Sequence, residues 1–125
     1  MADHKPAFRV RALTIACTDV GRSAHFYGTI LGAKRLPTDN GVGWWYRLGS
    51  LEINLLPNAA EPSPAEFPTH AMPILWLEVD DLAAAAEHFA RHVVPVISPS
   101  DGTFMQVADP DGLIVEVWAE VSEQD

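Results

Sequence analysis

The stretch LTIACTDVGRSAHFYGTILGAKRL, residues 13–36, decides the fold. It opens with apolar and β-branched residues that belong to a strand predicted over residues 10–17. Asp19 can then accept hydrogen bonds from the free amides of a helix N-terminus, and Gly32 can end that helix. Apolar residues recur between these two points at helical spacing. The stretch therefore predicts a strand followed by an amphipathic helix.

Three short apolar runs follow this helix, over residues 33–36, 43–48 and 51–56. Turn-forming residues separate them, and the Gly49-Ser50 pair is typical of a tight hairpin. We therefore predict a first module of about residues 8–57 with the order β-α-β-β-β.

The second half of the chain repeats this order. A proline-rich linker over residues 58–70 precedes a second module of about residues 71–121, in which Asp81 is placed to cap an alanine-rich helix. Asp81 lies 62 residues after Asp19, which is about half of the 125-residue chain. The two halves share little identity, so the repeat rests on element order and cap position. We predict one α+β domain, residues 1–125, built from two βαβββ modules.

Composition excludes several classes of protein. The 48% of hydrophobic residues predicts a packed core, and the net charge of −9 without a basic stripe argues against nucleic acid as a partner. No apolar run approaches the ~18 residues that cross a membrane, and the first ten residues do not resemble a signal peptide. A single cysteine, Cys17, cannot form an intrachain disulfide. We expect a cytoplasmic protein that binds no membrane.

Three sequence signatures occur in order along the chain. Residues 48–56 read LGSLEINLL, and residues 107–119 read VADPDGLIVEVWA. They are preceded by an opening that contains Asp19, Ser23, Phe26-Tyr27 and Leu31-Gly32. Together they resemble the vicinal oxygen chelate superfamily, which includes glyoxalases, bleomycin-resistance proteins and extradiol dioxygenases. The resemblance implies two βαβββ modules whose sheets curl around a shared cavity, and a homodimer with ligand clefts shared between subunits.

The resemblance also implies where a metal would bind. The four ligand positions of the family fall on Ala12, Glu52, Ile74 and Glu116. Two of them are aliphatic, whereas divalent transition metals prefer imidazole together with carboxylate. We therefore predict no metal cofactor. If a divalent ion does bind, Glu52, Glu116 and His70 are the candidate ligands.

Strand alternation extends this set, because every second side chain faces the same side of a sheet. Trp44 and Trp45 are adjacent, so one of them faces the cavity, and we take Trp45 as the candidate. Arg47 could pair with one of the acids. The predicted ligand-binding residues are Thr14, Trp45, Glu52, Asn54, Trp76, Phe104, Gln106, Glu116 and Trp118.

Apolar aromatic walls with a few polar groups are typical of small-molecule sites, and tryptophan faces attract planar rings and cations. The leading hypothesis is metal-independent binding of a small aromatic or cationic molecule, as in drug sequestration, without catalysis. One alternative is a metal-dependent lyase, isomerase or dioxygenase that uses Glu52 and Glu116. A second is a metal-free enzyme with one of these glutamates as general base.

Overall fold

A computed structural model describes residues 5–38, 43–57, 59, 67 and 73–120. The first module contains β1 (Leu13–Ala16), α1 (Val20–Ala24, which continues as a π-helix over His25–Ile30), β2 (Lys34–Leu36), β3 (Trp44–Leu48) and β4 (Leu51–Leu56). The second contains β5 (Ile74–Val79), α2 (Leu82–Arg91), β6 (Val96–Ser98), β7 (Phe104–Ala108) and β8 (Ile114–Ala119). Among the residues described, no helix has the length and apolarity needed to cross a bilayer.

Each module forms one four-stranded mixed sheet, and the two sheets have the same topology. The strand orders are β1-β4-β3-β2 and β5-β8-β7-β6, with the first pair parallel and the others antiparallel. Neither sheet closes on itself. The predicted α+β class and the internal repeat are confirmed.

The two predicted N-caps are both present. Asp19 Oδ1 accepts hydrogen bonds from the amides of Gly21 at 3.0 Å and Arg22 at 3.3 Å, and Asp81 Oδ1 accepts one from Ala84 at 3.0 Å. The first strand is shorter than predicted, because its pairing with β4 begins only at Leu13.

Both modules contribute to a single hydrophobic core. Ile15, Ile53 and Tyr46 enter it from the first sheet, and Val115 and Met105 enter it from the second. Neighbouring residues on each strand face the other way. The surface of each sheet that faces away from the core is called here its outer face. Buried residues of both helices complete this core.

A buried polar seam joins the modules beside this core. The Tyr27 hydroxyl donates to Asp109 Oδ2 at 2.7 Å, and both residues are buried. Asp111 accepts hydrogen bonds from the Thr18 hydroxyl at 2.5 Å and the Ser23 hydroxyl at 3.4 Å. Burial raises the pKa of the Asp109 carboxyl above its usual value of 3.8, although the hydrogen bond from Tyr27 opposes this shift.

Candidate functional site

A hydrogen-bond network lies on the outer face of the second module. Both oxygens of Glu116 are engaged: Oε1 accepts from Gln106 Nε2 at 2.7 Å, and Oε2 accepts from Trp118 Nε1 at 2.5 Å. Ser98 donates in turn to Gln106 Oε1 at 3.3 Å. Gln106 is opposite Glu116 in the pairing of β7 with β8, which explains why their side chains meet. The network fixes the glutamate and the indole in one orientation.

Three aromatic rings stack across the same face. The Trp118 ring lies between Trp76 and Phe104, with centroid distances of 5.1 Å and 4.7 Å and interplanar angles of 29° and 16°. Trp76 is on the edge strand β5 and is 63% exposed. The stack therefore ends in a tryptophan that solvent reaches. Its free surface has the size and chemistry to receive a further planar ring.

The outer face of the first module has different chemistry. Glu52 Oε1 accepts from Arg11 Nη1 at 2.9 Å, and Oε2 accepts from Arg47 Nη2 at 3.3 Å. These contacts confirm that Arg47 pairs with one of the acids. The hydrogen bond from Arg47, helped by Arg11, lowers the pKa of Glu52 below its usual 4.5. Both arginines are more than half exposed, so the pairs are solvent-screened.

Trp45 and Asn54 lie side by side on this face. They are directly paired between β3 and β4, which places Trp45 outward, and Trp44 lies on the other side, where the Arg35 guanidinium is 4.5 Å from its ring centroid. Asn54 Oδ1 is buried and has no hydrogen-bond partner in the described part of the chain. A buried amide oxygen without a donor is costly, so it is a candidate contact for a ligand donor.

The predicted site residues therefore form two groups. Trp76, Phe104, Gln106, Glu116 and Trp118 come together on the outer face of the second module. The remaining four, Thr14, Trp45, Glu52 and Asn54, share the outer face of the first module, where Thr14 pairs with Asn54 and is exposed. His70 lies outside the described residues. The predicted set is thus divided between two sheets within one chain.

A separate groove of about 770 Å³ lies where the β3–β4 hairpin meets β5 and α2. Of the predicted residues, Trp76 lines it, together with Glu78, Asp80 and Asp81. The exposed tryptophan thus shares the groove with three acids, and Arg91 also lines it. This arrangement favours a ligand that is both planar and positively charged.

The residues at the four predicted metal positions do not fit a metal ion. Ala12 and Ile74 have no donor atom in their side chains, and each oxygen of Glu52 and Glu116 already accepts a hydrogen bond from a protein donor. Over residues 5–38, 43–57 and 73–120, no three His, Cys, Asp or Glu side chains are arranged to hold an ion. Ion binding at these glutamates would first have to displace arginine, glutamine or indole donors.

Several residues of these clusters were not predicted. Arg11 reaches Glu52 from beyond the end of β1, and Ser98 reaches Gln106 from a strand whose register shifts. Asp109 and Asp111, which form the buried seam, are not among the predicted site residues either. A signal for the seam was available, because two acids directly before a buried strand require hydrogen-bond donors.

Two mixed sheets of identical topology that share a core define a paired-module α+β fold. A model of the Glyoxalase/Bleomycin resistance protein/Dioxygenase superfamily matches residues 9–117. The chain belongs to this superfamily. A search of curated protein sequences found no significant match.

Solved structures with the same fold have low sequence identity to the chain. A fosfomycin resistance protein from Mesorhizobium loti aligns with a TM-score of 0.70 and 12% identity, covering 93% of this chain and 95% of that one. An integron cassette protein from Vibrio cholerae aligns with a TM-score of 0.70 and 23% identity, covering 94% and 99%. A virulence protein from Salmonella typhimurium aligns with a TM-score of 0.67 and 19% identity, covering 94% and 100%. At these identities the likeness shows the fold alone.

Proposed function

We propose that this protein binds a small, planar, cationic aromatic molecule and that it does so without a metal ion. The observation that carries the proposal is the three-ring stack that ends at Trp76, which is 63% exposed. Glu78 lies on the same outer face and Glu116 lies behind the stack. A planar cation would gain stacking on the indole and attraction to both the ring face and the acids.

Binding is favoured over catalysis by the state of the glutamates. Both oxygens of Glu116 accept hydrogen bonds, and both oxygens of Glu52 are paired with arginine. A general base needs a carboxylate oxygen within reach of the substrate proton. The observed contacts fix the Glu116 carboxylate in a network, and the arginines lower the pKa of Glu52 and so make it a weaker base. We further propose a cytoplasmic, homodimeric protein, in keeping with the reduced, buried Cys17 and the family resemblance.

Calorimetric titration with proflavine, a planar aromatic cation, tests the proposal. Trp76→Ala removes the exposed end of the stack, and we expect it to raise Kd about tenfold. Phe8→Ala is the matched control, because Phe8 is 91% exposed and lies outside every helix and strand. Equal proflavine affinity in Trp76→Ala and the wild type would overturn the proposed site.

The metal-independent part of the proposal has its own test. We expect chelator-treated and untreated protein to bind proflavine with the same Kd. Elemental analysis of protein purified without any chelator should show no stoichiometric transition metal. A stoichiometric ion whose removal abolishes binding would contradict metal independence and favour the metal-dependent alternative.

A further inference from the structure

The helices of the two modules end in the same kind of turn but with different residues. After the π-helical continuation of α1, Gly32 follows the C-cap and has φ +77°, a left-handed conformation that glycine adopts without steric cost. After α2, the residue in this place is Val93, with φ +56°. Its amide donates to the Ala90 carbonyl at 3.1 Å, and the Val94 amide donates to the Phe89 carbonyl at 3.0 Å. A β-branched residue therefore occupies the usual glycine position of this turn.

Val93 is strained and exposed at the same time. A left-handed conformation is an outlier for a β-branched residue, and it costs stability that glycine would not lose. The side chain is 85% exposed, so packing within the chain offsets little of this cost. The neighbouring Pro95 and Val96 are also exposed. Because backbone strain is retained mainly where a residue has a function, Val93 points to a contact with a molecule outside the chain.

Val93 lines a pocket of about 580 Å³ that both modules build. The first turns of α1 and its continuation, the segment after α2 and the turn before β8 form its walls. This volume lies within the roughly 300–1,000 Å³ of small-molecule sites. The predicted ligand-binding residues, all of which belong to the described part of the chain, do not line it. We call it the helix-side pocket, and its apolar walls are formed by Phe26, Ile30, Val93, Val94, Pro95 and Pro110.

The polar groups of the helix-side pocket are engaged acids and unengaged donors. Asp109 is buried and accepts three hydrogen bonds from protein donors, and Asp19 uses Oδ1 to cap α1. Arg22, His25 and His92 are exposed, and their side chains donate no hydrogen bond to the residues that the structure describes. The two imidazole rings approach from different modules, with their centroids 6.1 Å apart. The turn that ends α2 engages two of its last carbonyls, which weakens the attraction of this helix end for cations.

We propose that the helix-side pocket is a second small-molecule site and that it binds an apolar carboxylate. Arg22 supplies a charged donor to the carboxylate, and the imidazole N–H groups of His25 and His92 supply two more. The apolar body of the ligand contacts Val93 and the apolar walls, so the strained residue gains packing only in the complex. This site goes beyond the proposed function, because Trp76 and the stacked rings take no part in it.

Calorimetric titration with naphthoate, an aromatic carboxylate, tests the site, and naphthamide is its neutral analogue. We expect naphthamide to bind at least about tenfold more weakly than naphthoate, because it lacks the charge that Arg22 recognises. Arg22→Gln removes the charged donor and should raise the Kd of naphthoate about tenfold. Arg9→Gln is the matched control, because Arg9 is exposed and lies outside every helix and strand.

Val93→Gly separates a role in binding from a structural role. Glycine relieves the left-handed strain, so the midpoint of thermal unfolding should rise by about 3 °C. The lost apolar contact should raise the Kd of naphthoate about fivefold. A residue with only a structural role would not lose affinity while the protein gains stability. Val10→Gly is the control, because Val10 is 86% exposed and precedes the first strand.

The possible results distinguish this site from the proposed function. Absence of naphthoate binding, equal affinity for naphthamide, or wild-type affinity in Arg22→Gln or Val93→Gly would each overturn the carboxylate site. Competition between naphthoate and proflavine, with both lost in Trp76→Ala, would place naphthoate on the ring stack and would overturn it as well. Naphthoate binding without proflavine binding would support the helix-side pocket and contradict the proposed function.

Discussion

The two modules have the same strand topology but differ in the side chains that contact their outward-facing glutamate. Glu52 and Glu116 both face outward from the last strand of their respective sheets. The first is held by two exposed arginines, whereas the second is held by a buried amide and an indole. The fold therefore decides which residues face outward, and the neighbouring side chains decide whether the carboxylate forms a solvated ion pair or part of a rigid polar network.

Replacing each glutamate by alanine should give the largest contrast. Glu116→Ala leaves the Gln106 amide and the Trp118 indole without their acceptor, and Gln106 is almost fully buried, so we expect a loss of about 3 kcal/mol of stability. Glu52→Ala releases arginines that water can solvate, and its effect should be much smaller. Urea unfolding of both variants measures the difference. Equal losses would show that the two sites are energetically alike.

Much of this arrangement could be predicted from the sequence. Alternation placed Glu116, Trp118 and Gln106 on one face because β7 and β8 are regular strands, and the caps at Asp19 and Asp81 follow from local chemistry. The hydrogen bonds of the network could not be predicted, because they depend on the register between strands and on rotamers.

Other features depend on contacts between distant parts of the chain. The seam joins Tyr27 to Asp109 across 82 residues, and no local periodicity reports such a contact. The π-helical continuation of α1, in which the Leu31 amide donates to the Phe26 carbonyl, is likewise not marked by any breaker residue. The division of the predicted site residues between two separate sheets likewise depends on strand pairing over long distances in the chain.

Two glycines with nearly the same positive φ provide a second contrast between the modules. Gly43 has φ +95° and Gly102 has φ +93°, but only at Gly43 would an added Cβ crowd a side chain, at 3.0 Å from Trp45 Nε1. We expect Gly102→Ala to cost about 1 kcal/mol and Gly43→Ala about 2 kcal/mol. Thermal unfolding measures both. If the two losses were equal, Trp45 would have room to move, and its fixed place on the first outer face would be in doubt.

The smallest expected effects concern the pH dependence of stability, to which Glu52 and Asp109 should contribute with opposite signs. The pKa of Glu52 is lowered by Arg47 and Arg11, so its contribution to stability is present above the unfolded pKa and is lost as pH falls through the folded pKa. The pKa of Asp109 is raised by burial, so its ionisation weakens the folded state, and acidification through the folded pKa restores stability.

Comparing the wild type with Glu52→Gln and Asp109→Asn at several pH values isolates each contribution. The stability advantage of the wild type over Glu52→Gln should shrink on acidification, whereas its stability relative to Asp109→Asn should improve. Denaturant unfolding between pH 3 and pH 7 covers about the range in which carboxyl groups titrate. If the stability difference from the wild type changed with pH in the same direction for both variants, the opposite environments assigned to the two acids would be wrong.

The buried seam has a consequence for the order of events during synthesis. Asp111 binds Thr18 and Ser23 at the start of α1, and Asp109 binds Tyr27 further along it, so the donors are translated 82 to 93 residues before their acceptors. When the first module has been synthesised, Asp109, the acceptor of the Tyr27 hydroxyl, has not yet been translated. We therefore expect the helix of the first module to reach its final packing only after the last hairpin has been synthesised, although the architecture of the repeat is modular.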